Sequence, residues 1–396
     1  MRQVGGVACK FEELVELSLT NNNLTVIDDL KCNRKLVSLN LAFNQIQTVG
    51  DDTFQQMEVL ESLYLNDNEL SDLKLKKFGN LRHLYLHNNK LSQLSNESFQ
   101  GLDNLSVLTL DNNNISRIWR HSFRDLKKLT RLSLVGNPLR VLLEETFWGL
   151  ESLTHLDLGG MPFVYVGNNA FVGLTHLTKL DLYSTKIKEL DTRSFNGLYN
   201  LKTLNLWNNS FYLHPFLFVN LTNVENLILG KTKGSSEYFL ETNSFFGLEK
   251  LKTLNLSGMG ANIYPGSFQG LTNLDILSLS KNNLTNLQVD TFIGMPNLRV
   301  LYLFNSNINS IAPNAFYDLN RLESFYIRGN KIKNLERNGF NGLKKNLGAS
   351  IIKFINRTST FGSLSGPGQM MLLDLNGNKL KELNESSFSG CPNLID

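Results

Sequence analysis

The sequence predicts an α/β repeat fold: a solenoid, bent into a horseshoe or arc, with a parallel β-sheet on its concave face. Three observations predict it. The template LxxLxLxxNxL recurs along the 396 residues, mostly 24 residues apart. A Phe falls six residues before most of the following copies. No single copy is long enough to enclose a core, so its apolar face must be buried against its neighbours.

The copies start at Leu14, Leu36, Leu60, Leu81, Leu105, Leu129, Leu153, Leu177, Leu201, Val224, Leu251, Leu274, Leu298 and Leu322. A degenerate copy lies near Leu347 and a clean one, MMLLDLNGNKL, starts at Met370. Residues 1–396 therefore read as one solenoid of about sixteen repeats. In each copy the LxL core alternates with period two, as a strand does, with leucines inward and the residues between them outward. The Asn at the ninth position turns the chain out of the strand. Its amide bonds loop backbone groups that burial would otherwise leave unsatisfied. The late Phe (Phe54, Phe99, Phe123, Phe147, Phe171, Phe195, Phe218, Phe245, Phe268, Phe292, Phe316) fills the convex side, often within FxGL as at 99–102 and 195–198.

The pattern lapses over 153–260 and 343–369. LDLGGMPF at 156–163 puts Met161 where LSLVGNPL has Asn137 and LTLDNNNI has Asn113. The Asn is also lost at Thr185, Thr232 and Met259 and partly at Ser306, and 27 residues separate Val224 from Leu251. Met or Thr cannot reproduce the paired bonds of the amide, so the loop is held less tightly and the local curvature can change. Such lapses mark either a contact region, here Gly159 to about Glu241, or drift in tolerant repeats. The 343–369 segment reads as an insertion loop or as a sequence error.

Composition excludes more than it suggests. Lys+Arg 39 against Asp+Glu 36 leave +3, spread along the chain, with no nucleic-acid footprint or polybasic membrane stripe. No run of 18 apolar residues spans a membrane, and MRQVGGVACKF lacks the apolar region of a secretory signal. Cys9, Cys32 and Cys391 are too few for a disulfide framework and lack metal spacing; Cys9 and Cys32 are either a pair or two buried thiols. HExxH, GxSxG and GxGxxG do not occur, and GKT at 230–232 lacks the upstream Gly of a phosphate loop. His83 and His87 read as solvated imidazoles. No catalysis, cofactor or metal is expected.

Binding remains. Most outward strand positions are Ser, Thr, Asn, Asp or Glu, and three clusters depart from that. Tyr64, Arg82, His83, Tyr85 and His87 lie in the third and fourth repeats. His155, Asp157, Lys179, Asp181, Tyr183, Lys202 and Trp207 lie in the seventh to ninth. Arg299, Tyr302, Phe304, Tyr326 and Arg328 lie in the thirteenth and fourteenth. Aromatic and Arg side chains dominate interface energies. Aromatic residues also simply suit strands, where pairs such as Tyr64–Tyr85 or Tyr302–Tyr326 add up to about 1 kcal/mol. Sequons at Asn23, Asn96, Asn104, Asn114, Asn208, Asn220, Asn255, Asn283, Asn356 and Asn384 fit a glycosylated extracellular protein. Glycans at Asn255 or Asn208 would cover part of the inner face and push contact towards its flanks.

The 24-residue period, the ninth-position Asn and the late Phe resemble the typical extracellular leucine-rich repeat. The long run with irregular central repeats is most similar to a Toll-like receptor ectodomain. That resemblance implies an extracellular or lumenal receptor part that recognises a protein or microbial ligand and pairs with a second receptor chain. Cysteine-clustered caps, a membrane helix and a signalling domain are missing from the chain, which reads as a piece of such a protein. Secreted and matrix leucine-rich proteins share the repeat, so a protein-interaction module without signalling is the alternative.

Overall fold

The computed structural model describes residues 13–27, 33–50, 53–54, 57–73, 75, 78–230, 238–333, 335, 339–340, 343 and 372–381. Cys9, Cys32, Cys391, Thr232, Asn356, Asn384 and the copy near Leu347 lie outside the described residues. The chain forms two compact units, Met1–Leu201 and Lys202–Asp396.

In the first unit each repeat contributes one three-residue strand, and the strands pair in parallel in chain order: Glu16–Ser18, Ser38–Asn40, Ser62–Tyr64, His83–Tyr85, Val107–Thr109, Arg131–Ser133, His155–Asp157 and Lys179–Asp181. The register follows the template, with Leu39 opposite Leu63, Leu84 opposite Leu108 and Leu156 opposite Leu180. These central leucines are buried while their strand neighbours are at least partly exposed, Asp181 excepted. A parallel solenoid of strands results.

The second unit repeats the scheme with Thr203–Asn205, Asn226–Ile228, Thr253–Asn255, Ile276–Ser278, Val300–Tyr302, Ser324–Tyr326 and Leu372–Asp374. Ser324 pairs directly with Leu372, and Asn378 donates to the Ile327 carbonyl at 3.2 Å. The strand Leu372–Asp374 thus lies directly beside Ser324–Tyr326 in the sheet.

Among the described residues no helix forms; the outer runs are turns and short strands. Left-handed residues recur at fixed places and interrupt any helix. Gly149, at φ +99°, is one: a Cβ there would come within 2.7 Å of the Arg124 backbone. Two buried columns hold the coils together. The phenylalanines stack from Phe99 through Phe123, Phe147 and Phe171 to Phe195 at centroid spacings of 6.0, 6.3, 6.0 and 6.4 Å. In the second unit Phe245, Phe268, Phe292, Phe316 and Phe340 do the same.

The second column is the Asn ladder. Asn113 donates to the carbonyls of Leu110 and Leu86, both at 3.0 Å, and accepts from Leu91 N–H at 3.1 Å. One side chain thereby satisfies three buried backbone groups in two repeats. In many repeats a hydroxyl residue also precedes the Phe, as Ser122 precedes Phe123 and Ser267 precedes Phe268. Ser122 and Ser267 are buried, and each donates to the preceding coil, to the carbonyls of Leu94 (3.0 Å) and Leu240 (2.6 Å).

Candidate functional site

The first cluster assembles on neighbouring strands. Tyr64 and Tyr85 are register partners whose rings stack at 4.7 Å, and burial, then Tyr64, pushes the Tyr85 hydroxyl pKa up. His83 Nδ1 lies 3.1 Å from Ser62 Oγ, and His87 lies 3.0 Å from Thr109 Oγ1 and 3.8 Å from Asp67. Arg82 reaches Glu61 at 3.7 Å. The two histidines are engaged with different neighbours.

The second cluster divides between the units. In the first, His155 pairs in register with Lys179 and Asp157 with Asp181, so two carboxylates stand directly opposite each other. Lys179 Nζ binds Asp181 at 2.9 Å, and Asp181 is buried. Asp157 Oδ1 accepts the Gly159 N–H at 2.9 Å. Burial raises the Asp157 pKa to about 6; Asp181 and Asp111 push the same way, while the Gly159 bond and Lys179 oppose them. The His155 pKa is lowered by burial and by Arg131 and Lys179. Tyr183 lies flat over Gly159, where a Cβ would meet its ring at 2.2 Å. Burial and then Asp157, Asp181 and Asp111 raise its hydroxyl pKa.

Gly159, where the contact region read from sequence begins, belongs to this neighbourhood, as do Asp111, Arg131 and Ser133, which were not among the candidates. Asp111 is two repeats from Asp157 and two positions further along the template. It accepts from the Ser133 hydroxyl and from Val135 N–H at 2.8 Å. Only contact across repeats reveals that grouping. Lys202 and Trp207 belong to the second unit. Lys202 is exposed. Trp207 is 37% exposed, and its backbone N–H donates to Asn205 Oδ1 at 3.1 Å.

The third cluster is aromatic and cationic. Tyr302 stacks on Tyr326 at 5.0 Å, and Phe304 packs against both at 5.6 and 5.5 Å. The Arg328 guanidinium sits 4.7 Å over the Phe304 ring. Arg299 grips Asp275 with two bonds of 2.6 and 2.7 Å and reaches Glu323 at 3.4 Å, which raises its pKa. Among the described residues no group of three His, Cys, Asp or Glu could hold a metal. The sequons Asn23, Asn96, Asn114, Asn220 and Asn283 are exposed, whereas Asn104, Asn208 and Asn255 are half-buried.

These sites offer shaped, partly desolvated polar and aromatic surface, and the comparisons agree with a binding role. A curated relative, Toll-like receptor 8 of Homo sapiens, is 34% identical over 106 residues, which is 24% of this chain and 10% of that protein. The TLR13 structure, solved as a complex with ssRNA13, aligns with TM-score 0.67 and 25% identity over 91% of this chain. That match takes in 51% of the TLR13 chain, so this chain spans about half of its length. The RNA in that complex weakly contradicts the reading, drawn from net charge, that this sequence carries no nucleic-acid signal. A leucine-rich repeat protein of Leptospira interrogans aligns with TM-score 0.64 and 23% identity over 100% of this chain and 99% of its own, a likeness of fold alone. No helix among the described residues is long and apolar enough to cross a membrane. The leucine-rich repeat model matches residues 12–70, 34–84, 79–139, 103–163, 163–211, 261–308 and 296–345. With the template, the Asn ladder and the Phe column all present, this chain belongs to the leucine-rich repeat family, as a protein-interaction module similar to Toll-like receptor ectodomains.

Proposed function

We propose that this chain is the ligand-binding ectodomain of a Toll-like innate-immune receptor. It is glycosylated and lies on the extracellular or lumenal side of a membrane. It binds a protein or microbial ligand and signals by pairing with a second receptor chain. The observation that carries this reading is the grouping of Asp157, Asp181 and Tyr183 in the repeats where the Asn ladder lapses. Withdrawing Asp157 from water opposes folding, as its raised pKa records, and its place opposite Asp181 on a sheet face suits ligand contact. The similarity to two Toll-like receptors supports the receptor class.

The second reading is a secreted or matrix interaction module without signalling, which the leucine-rich repeat family fits equally. Amplifying the transcript 3′ of the Asp396 codon separates the two. A cysteine-rich cap, one apolar helix of about 20 residues and a cytoplasmic α/β domain are expected. A cap followed by a stop codon would sink the receptor reading and leave the secreted one.

A further inference from the structure

Away from the strand face, the outer runs of the first unit carry short parallel pairs: Gln93–Leu94 with Arg117–Ile118, and Val141–Leu142 with Tyr165–Val166. No backbone hydrogen bond joins 115–119 to 139–143 among the described residues. Part of the reason is legible. In the preceding repeats the residue after the ladder Asn donates its N–H to the coil before, as Asn114 does to the Leu91 carbonyl at 2.9 Å. The sixth repeat has Pro138 at that position, which carries no N–H. Pro162 removes the same donor one repeat later, but there the next strand pair closes the gap. Between the two pairs a cleft of about 280 Å³ opens, and a second of about 260 Å³ continues it, sharing Ile118, Arg120, Leu143 and Thr146.

The walls are mainly apolar and basic, with Glu144 and Glu145 at the end of the second cleft. Trp119, Val141 and Leu143 are 43%, 48% and 66% exposed, an apolar strip along the cleft. Arg117 lies 3.5 Å over the Trp119 ring. Arg140 is exposed, and Arg120 is bound to Glu145, leaving Arg117 and Arg140 without an ion pair among the described residues.

We infer that this cleft is a docking site for an extended segment of a partner protein in which acidic and aliphatic residues alternate. The backbone edges at 117–118 and 141–142, each paired on one side only, suit peptide main chain. The apolar strip takes the aliphatic side chains, and Arg117 and Arg140 take the carboxylates. An anionic lipid would satisfy the arginines but would leave the backbone edges unused. The site is separate from the strand-face clusters and does not depend on them.

The test is fluorescence anisotropy with a labelled peptide alternating Glu and Leu, titrated with the full chain secreted from eukaryotic cells, so that any glycans at Asn96 and Asn114 stay in place. Saturable binding is expected, roughly tenfold weaker for a peptide with Lys in place of Glu and for the R117E/R140E double variant. N-methylation of alternate peptide bonds should weaken it about fivefold, since the main chain is part of the contact. Tyr183→Ala should leave it unchanged. The substituted arginines are exposed, and an unaltered unfolding midpoint confirms that the double variant folds. The inference is overturned by no saturation up to about 1 mM, by equal affinity for the Lys peptide, or by indifference to R117E/R140E. Binding of phosphatidylserine vesicles, lost in the double variant while the peptide fails to bind, would overturn it in favour of a membrane surface.

Discussion

Asn137 and Met161 hold the same place in successive repeats of the first unit, both wholly buried, and they fill it in opposite ways. Asn137 donates to the carbonyls of Leu134 at 2.8 Å and Leu110 at 2.9 Å and accepts from Ile115 N–H at 3.0 Å. Met161 brings only a flexible apolar side chain. Thr185, next in line, donates to the Leu182 carbonyl at 3.2 Å. In the second unit Ser306 shows an intermediate solution. Its hydroxyl reaches the Leu279 carbonyl at 3.0 Å, while Leu284 N–H turns to the Ser306 carbonyl at 2.9 Å. Strand register runs unbroken through these lapses, from Arg131 opposite His155 to His155 opposite Lys179. The Asn ladder therefore secures the turns, while the strands and the Phe column carry the register.

The largest test exchanges the two solutions. Asn137→Met should cost about 3 kcal/mol in urea unfolding, because it strands three buried backbone groups. Met161→Asn should change stability by less than about 1 kcal/mol, since regained bonds offset lost apolar burial. Equal costs for both would show that the three backbone bonds of Asn137 do not distinguish the two slots.

Next is the contact that the lapse repeats add. Gly159→Ala should cost about 1–2 kcal/mol, because its Cβ would enter the Tyr183 ring. In a Tyr183→Ala background the same change should cost almost nothing, and the double-mutant cycle measures the coupling. An undiminished cost in that background would mean that Gly159 is constrained by something other than Tyr183.

Asp157 sharpens the comparison through pH. Its folded pKa of about 6 lies above the ordinary 3.8, so the folded state holds this proton more tightly than the unfolded one. The cost of ionising it grows as pH rises from about 4 to about 6 and is complete above that range. Asp157→Asn should add about 1 kcal/mol at pH 7.5, discounted because the side chain keeps some solvent contact, and nothing near pH 4. Denaturation midpoints across pH give the answer; a gain that does not change with pH would place its origin outside this titration.

The smallest effect is at the strand-face ion pairs of the second unit. Arg299→Ala should cost roughly 0.5–1 kcal/mol at low salt and less at high salt, as expected of exposed pairs. A salt-independent loss would assign the role of Arg299 to packing instead.

The repeat class, the phase of the strands and the Phe column were legible because every 24th residue returns to the same place in the coil. A pattern of leucines and one Asn then fixes which side chains are buried. Tyr64 against Tyr85 and Tyr302 against Tyr326 could be paired from the period alone, since each pair shares one template position. The period does not say how far a side chain leans across its neighbours. Asp111 joining Asp157 and Asp181, Tyr183 lying over Gly159, and the open edge behind Pro138 come from contacts between repeats. Nor could sequence place Leu372–Asp374 directly beside Ser324–Tyr326, because strand pairing is a property of the assembled sheet. Sequence determined the unit that repeats, since burial of leucines depends on spacing alone. Tertiary structure decided which polar groups meet, since desolvation and charge depend on distance in space.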